Sequence, residues 1–401
     1  MNKNDIINAA RTIDGHIITT PVVRSKTLSG LAGCETFFKL ENFQMTGAFK
    51  ERGALNRMSQ LGTSERQRGI ATASAGNHAQ GVALHAQRMG IGAKIVMPLT
   101  TPLIKVTSTE NYGAEVVLHG ESYDESSKFA HAMALEENRT YIHPFDDDLV
   151  IAGQGTIGKE ILDAEIGEDL DAIICPIGGG GLIAGIATYV KETRPDIRII
   201  GVQTETCDSM RVSLSAGSLS PSTGGSTLAD GIAVKTVCQR TFDIASRYVD
   251  EVYTVSEDEI ANAVLLFLEI EKIVVEGAGA VTLAALINRD HGLGGKRVLS
   301  VLSGGNIDVN VLSKIIQRGL AVDGRITSIT ITLRDYPGTL ADALAIIRRH
   351  SANVLSIDHQ RTGSITSVDS VEVTLFLETR GLPHIQAIKK SLAEKGLLLH
   401  Q

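Results

Sequence analysis

Tryptophan is missing from this 401-residue chain, and aromatic residues make up only 4% of it. That leaves little material for a surface on which nucleic-acid bases could stack. No basic run occurs and the formal net charge is −8, so nucleic acid and anionic membranes are poor partners. No apolar run is long enough to cross a bilayer, and no membrane span is expected. The opening "MNKNDIINAARTIDGHIITTPV" lacks the apolar core and cleavage site of a signal peptide. Four cysteines, Cys34, Cys175, Cys207 and Cys238, form no C-x-x-C pair; they read as reduced thiols in a cytoplasmic protein. The eleven histidines show no H-E-x-x-H and no convincing ligand pair, and Asp146 to Asp148 read as a solvated loop, so no metal is expected. G-x-S-x-G and the Walker lysine pattern are absent as well, which excludes serine-hydrolase and P-loop chemistry.

What is present is ordinary for a soluble globular protein: 43% apolar and 21% charged residues, in a chain long enough for two or three domains. "NDIINAARTI" reads as an opening helix, with Asn4 a possible cap. Short β-branched runs then recur: "AKIVMP" (93–98), "AEVVLH" (114–119), "TYIHPF" (140–145), "DAIICPIGGGG" (171–181), "IRIIGVQTE" (197–205) and "KRVLSVLSGGN" (296–306). Helical patterns such as "HAQGVALHAQRMG" and "DEIANAVLLFLEIEKIVV" separate them. Such alternation predicts parallel sheets covered by helices on both faces. The pattern changes near residue 321. Beyond it the order is β-α-β-β-α-β, a ferredoxin-like unit ending in "GLLLH". The Ser/Gly-rich segment 213–231 reads as a mobile loop near a site.

Four motifs carry chemistry. Gly178 to Gly181 follow a buried-type strand and open a helix, so backbone N–H groups and the positive end of the helix meet at one point. That is a phosphate site. Gly179, Gly181 and Ala184 also satisfy a loose G-x-G-x-x-A, with Glu205 ending the next strand, which keeps a dinucleotide-dependent oxidoreductase as a rival. In "TASAGNHAQG" (72–81), Ser74, Ala75, Gly76, Asn77 and His78 could offer backbone donors to a carboxylate and Asn77 its amide. A plain helix cap by Ser74 or Asn77 is the competing reading. Ser303 sits at a strand end before two glycines, where ligands of open α/β sheets gather. Lys50, in "ENFQMTGAFKERGALN" (41–56), is by residue type alone an ordinary solvated lysine. Beside the other three motifs it becomes the amine needed to hold pyridoxal phosphate as a Schiff base.

"KLENFQMTGAFKERGALN", "SAGNHAQG", "PIGGGGLIAG" and "LSGGN" resemble, in the same order, the motifs of the pyridoxal-phosphate threonine/serine dehydratases, or threonine ammonia-lyases. That family has the tryptophan-synthase-β-like fold. The resemblance implies two parallel-sheet α/β lobes over residues 1–320, the small lobe (about 50–150) inserted in the large one. It also implies an ACT-like regulatory domain over 327–401, with "RDYPGTL" (334–340) at its first strand–helix turn. The cofactor would be pyridoxal 5'-phosphate, and the substrate a hydroxy-amino acid such as L-threonine. An amino-acid effector would act at the ACT domain, and the chain would form a homodimer or homotetramer. By the same resemblance Lys50 carries the cofactor and takes the α-proton, and Phe49 packs on its ring. Asn77 binds the 3-oxygen, Gly178 to Gly181 the phosphate, and Ser303 faces the pyridine nitrogen. The Ser74–His78 loop receives the substrate carboxylate.

Two departures from a related enzyme, serine racemase, bear on specificity. The position of its second base is Ala75 here, which favours one-faced elimination over racemisation. Its divalent-ion positions are Gln203 and Ser209 here. A β-replacement synthase and a non-enzymatic amino-acid sensor are further alternatives to a dehydratase.

Overall fold

The alternating β-branched runs fold, as expected, into parallel strands covered by helices. The structure, a computed structural model, describes residues 1–360 and 369–399. The chain divides into two units, Met1–Ile307 and Asp308–Gln401. The boundary expected at residue 320 therefore falls inside a helix of the second unit, Val309–Val322.

In the first unit, β1 (Val22–Ser25) and β2 (Glu35–Leu40) lead in. Next come β3 (Ile70–Ala73), β4 (Ala93–Met97), β5 (Glu115–Leu118) and β6 (Thr140–Tyr141), which make a parallel sheet of order β5-β4-β3-β6. Then β7 (Ala172–Pro176), β8 (Arg198–Thr204), β9 (Glu251–Val255) and β10 (Arg297–Leu302) join the first pair in the order β1-β2-β10-β7-β8-β9. That sheet is parallel except for the edge strand β1, which runs antiparallel to β2. An antiparallel edge is a common exception, because only central strands need crossover helices.

The central strands are buried on both faces, so they carry unbroken apolar runs rather than alternation. Every residue of β7 is buried. In β8, Ile199, Ile200 and Val202 are 0% exposed; each contributes about 1.5–3 kcal/mol of burial.

Three local expectations differ in detail. The first helix, Lys3–Ile13, is capped by Asn2 rather than Asn4: Asn2 Oδ1 accepts from Asn4 N–H and Asp5 returns a bond to Asn2 N–H. This reciprocal pair satisfies donors that a lone cap would leave open. The "TYIHPF" run is a strand only over Thr140–Tyr141, since His143 Nδ1 accepts from Phe145 and Asp146 N–H and turns the chain. The "DEIANAVLLFLEIEKIVV" helix stops at Leu266. One π-helical turn follows, and Lys272 (φ 59°) ends it before the β-branched Ile273–Val275.

The lysine segment is fixed from two sides. Helix Lys50–Ser59 meets helix Asp148–Asp163 where Gly53 faces Gly153; a Cβ on Gly153 would lie 2.6 Å from Gly53 Cα. Beside that contact, Arg52 is 0% exposed. Its guanidinium meets Glu41 at 2.7 and 2.8 Å and Glu160 at 2.5 and 2.9 Å, and Lys39 joins Glu160 at 2.5 Å. Two cations and two carboxylates thus neutralise one another inside the protein. Burial opposes the charge on Glu41, but Arg52 holds its pKa below the usual carboxylate value.

The second unit contains β11 (Ile326–Arg334), β12 (Asn353–Gln360), β13 (Ser370–Glu378) and β14 (Leu398–Leu399). They form an antiparallel sheet of order β12-β13-β11-β14. Helices Thr339–Arg349 and Leu382–Glu394 bury Ile346, Ile347, Ile388 and Leu392 with Ile331, Val373 and Leu375. The βαββαβ order read from the sequence is therefore present. His400, which closes the expected last strand, lies outside the described residues.

Candidate active site

The expected residues meet at the C-terminal ends of β7 and β10. Ser303, 2% exposed, follows β10, and its carbonyl accepts from Phe49 N–H at 3.0 Å. Ala48 bridges Gly304, and Gly305 N–H donates to Gly47 O at 2.9 Å. The lysine turn is thereby stitched to the strand end, and Lys50 emerges as the first residue of its helix.

Lys50 is half-buried, and its Nζ donates to Pro144 O at 3.0 Å and lies 5.3 Å from the Phe49 ring centroid. Burial pushes its pKa down to about 8, against an opposing pull from the charge of Glu276. An amine of that kind spends a useful fraction of its time unprotonated near neutral pH, as a nucleophile or base requires. The solvated-lysine reading does not fit. Nor are the two charges after it solvated: Glu51 is buried and accepts from Thr46 and Met45 N–H, and Arg52 is in the ion network.

Phe145 follows Pro144 and fills the floor of the glycine loop; a Cβ on Gly179 would collide with its ring. Gly180 (φ 91°) caps helix Gly181–Lys191 in a conformation that disfavours other residues. The first N–H groups of that helix have no intrahelical acceptor. Gly178 packs on Ile232, the end of the short turn Asp230–Ile232 that closes the Ser/Gly-rich segment.

On the opposite side, helix Asn77–Met89 begins at Asn77. Ser74 Oγ accepts from Gly76 N–H at 3.2 Å and shapes the turn, and Ala75 packs on the small-lobe core. The leading N–H groups of this helix, from Asn77 and His78, have no intrahelical acceptor. The His78 ring is 2% exposed, and its Nε2 pairs with Ile142 O at 3.1 Å. Burial, with the charge of Lys50, drops its pKa to about 3, so the ring is neutral. Its Nδ1 has no partner among the described residues.

Glu276 was not singled out in the sequence. It is 4% exposed and takes the Asn77 amide at 2.8 and 3.1 Å. Asn306 was also missed; its Nδ2 donates to Asn77 Oδ1 and to Thr46 O, both at 2.7 Å. The available signal was a lone acid between an apolar run and a small-residue helix, in "VVEGAGA". Gln203 and Ser209 spend their side chains on backbone groups. Among the described residues no cluster of three His, Cys, Asp or Glu could hold a metal ion.

An amine, two N–H-rich helix starts, an amide and a strand-end serine thus converge, and residues 13–304 match the pyridoxal-phosphate dependent enzymes. The chain belongs to that family. It is 45% identical to the L-threonine ammonia-lyase of Thermotoga maritima over 392 residues, 98% of this chain and 97% of that one. Among solved structures it is similar to the processed form of threonine deaminase isoform 2 from Solanum lycopersicum. That match has a TM-score of 0.73 and 38% identity over 78% of this chain and 91% of that one. Maize serine racemase gives a TM-score of 0.74 and 32% identity over 80% and 98%.

The donor set suits the family's cofactor. A pyridoxal phosphate needs an amine for its aldehyde, N–H groups for its phosphate and polar contacts for its ring, and each kind is present among these neighbouring residues. The dinucleotide rival is set aside. Its acidic residue, Glu205, is exposed and lies 3.7 Å from Arg289.

Proposed function

We propose that this enzyme dehydrates and deaminates L-threonine to 2-oxobutanoate and ammonia, and L-serine to pyruvate. The observation that carries this reading is the Lys50 amine, half-buried, with its pKa lowered to about 8 and the preceding residue, Phe49, bonded through its N–H to Ser303 O. The similarity to L-threonine ammonia-lyase over almost the whole chain supports the choice of substrate.

Lys50 would hold the cofactor and Phe49 would pack on its ring. The N–H groups of Gly178, Gly179, Gly180 and Gly181 would hold the phosphate. Asn77 would donate to the ring oxygen, and Ser303 would face the ring nitrogen. The bound cofactor supplies an electron sink for the pair left at Cα. Lys50 Nζ, once free, would take the α-proton of the bound substrate. The N–H groups of the Ser74–His78 turn, including Ala75 and Gly76, receive the substrate carboxylate and set which Cα bond faces the lysine. A hydroxyl at Ser303 would not hold a proton on the ring nitrogen as a carboxylate would, which favours prompt expulsion of the β-hydroxyl. The Cα–H and Cβ–O bonds break, water leaves, and the released enamine hydrolyses to keto acid and ammonia. Ala75 supplies no second base on the opposite face, which disfavours racemisation.

We read the second unit as an ACT-type regulatory domain that binds an amino-acid effector. Its βαββαβ order and its "RDYPGTL" turn support this, and among the described residues its strand β12 lies at the sheet edge, paired with β13. Free edges invite pairing between copies, in keeping with a cytoplasmic homodimer or homotetramer. The reaction is tested by incubating the purified enzyme with L-threonine and no added thiol or other nucleophile. Release of 2-oxobutanoate and ammonia supports a lyase; product only with an added nucleophile points to a β-replacement enzyme.

A further inference from the structure

Taking Lys50 as the cofactor lysine, we propose that Glu276 is a positioning residue. Its carboxylate fixes the Asn77 amide toward the cofactor's ring oxygen and keeps a negative charge beside the Lys50 amine.

Glu276 stands at the cap position of helix Gly277–Asn288, yet its side chain makes no cap bond to that helix. It turns instead to Asn77, 199 residues away, and both carboxylate oxygens face Nδ2. On the other side of the same amide, Oδ1 accepts from Asn306 Nδ2, which Thr46 O holds in place. These partners forbid a flipped amide. Reversal would set Oδ1 against a carboxylate and Nδ2 against another donor. An amide nitrogen has two hydrogens. One serves Glu276, and the other is left for a ligand oxygen, in a direction the carboxylate decides. Neighbouring backbone is drawn tight around this contact: a Cβ on Gly304 would lie 2.5 Å from Glu276 Oε1, and one on Gly231 3.4 Å from it.

The charged groups facing Glu276 come from three elements. They are Lys50 at the start of its own helix, Lys105 of helix Leu103–Glu110, and Asp230, which pairs with Lys105 at 2.7 Å. Asn77 and the Asn306 N–H are neutral donors. Burial raises the Glu276 pKa to about 7, with Asp230 adding to the rise and Asn77 and Lys105 opposing it. Its charge in turn stabilises the Lys50 ammonium against burial.

The test compares the parent chain with Glu276→Gln and Asp230→Asn. The cofactor-free proteins are mixed with pyridoxal phosphate and trapped with borohydride across a pH series, and the labelled lysine is mapped. Only the free amine reacts, so the midpoint reports the Lys50 pKa. Glutamine keeps the size and the acceptor but removes the charge. The midpoint in Glu276→Gln is expected at least about half a pH unit below the parent's. The exposed Asp230→Asn change is a second arm that leaves the buried contacts intact. By lowering the Glu276 pKa it is expected to move the acid limb of kcat/KM to lower pH, while Glu276→Gln removes that limb. An adduct on Lys50 with the same midpoint in parent and Glu276→Gln, or an acid limb unmoved in Asp230→Asn, overturns this role for Glu276. An adduct on a different lysine in the parent overturns the Lys50 reading itself.

Discussion

Asn77 gives its side-chain amide to both carboxylate oxygens of Glu276, at 2.8 and 3.1 Å, and so joins the start of one helix to the start of another. A buried acid thus acts on a half-buried amine. It makes the site's behaviour with pH a matter of two coupled groups rather than of Lys50 alone.

The Glu276 carboxylate also affects folding. Its native pKa of about 7 lies above its ordinary value of 4.5. Between those values the native state binds more protons than the unfolded one. Its contribution to the stability of the cofactor-free chain is therefore full below about pH 4.5 and lost as pH rises through about 7. At about 1.4 kcal/mol per unit the loss amounts to a few kcal/mol. Urea midpoints at about pH 5 and about pH 8 should differ in this sense for the parent, and Glu276→Gln should flatten the slope.

Lys50→Ala should leave the thermal unfolding transition nearly in place, because the side chain is only half-buried. Turnover of L-threonine should drop by at least about 10³-fold, since both the cofactor link and the base are removed. Steady-state assays with excess pyridoxal phosphate check this. Full activity would remove Lys50 from the chemistry.

Arg52→Leu should be costly for a different reason. It strips the counter-charge from Glu41 and half of that from Glu160 inside the protein. Breaking a buried pair costs about 3–5 kcal/mol. Denaturant unfolding measures the loss, and the catalytic rate should fall too because the network anchors the lysine helix.

Gly179→Ala should weaken cofactor binding more than folding. The added methyl collides with the Phe145 ring, and such overpacking costs about 1–3 kcal/mol. Fluorescence titration with pyridoxal phosphate should show a raised Kd, with Phe145→Leu partly restoring it.

Ending the chain at Ile307 removes the whole second unit. Catalysis should persist while any response to an amino-acid effector disappears. A soluble truncated enzyme that still responds would contradict the regulatory role of residues 308–401.

The sequence displayed the parts of the site that lie in short local patterns. Gly178 to Gly181 announce a phosphate loop because a strand, glycines and a helix start are consecutive. Lys50, Asn77 and Ser303 stood out through motifs of a few residues each. What stayed hidden depends on distance along the chain. Glu276 reads as the tail of an apolar helix until the π-helical turn at Phe267–Glu271 ends that helix and frees it. The burial of Arg52 is hidden in the same way, because its partner Glu160 is 108 residues away. Phe145 falls in a strand-like run of the sequence, and the bonds from its own and the next N–H to His143 cannot be foreseen from alternation. The second unit shows the opposite case: β11 and β13 alternate cleanly, with Ile329, Ile331 and Leu333 buried on one face of β11 and Val371, Val373, Leu375 and Leu377 on one face of β13, and the order of its elements was legible.

The most direct test of the account is a visible spectrum of the purified enzyme before and after L-threonine, with keto acid assayed in the same tube. The account predicts an absorption band from a cofactor held on Lys50, a change of that band on adding substrate, and 2-oxobutanoate in step with it. No band after incubation with pyridoxal phosphate, or a band with no keto acid from either L-threonine or L-serine, would contradict it.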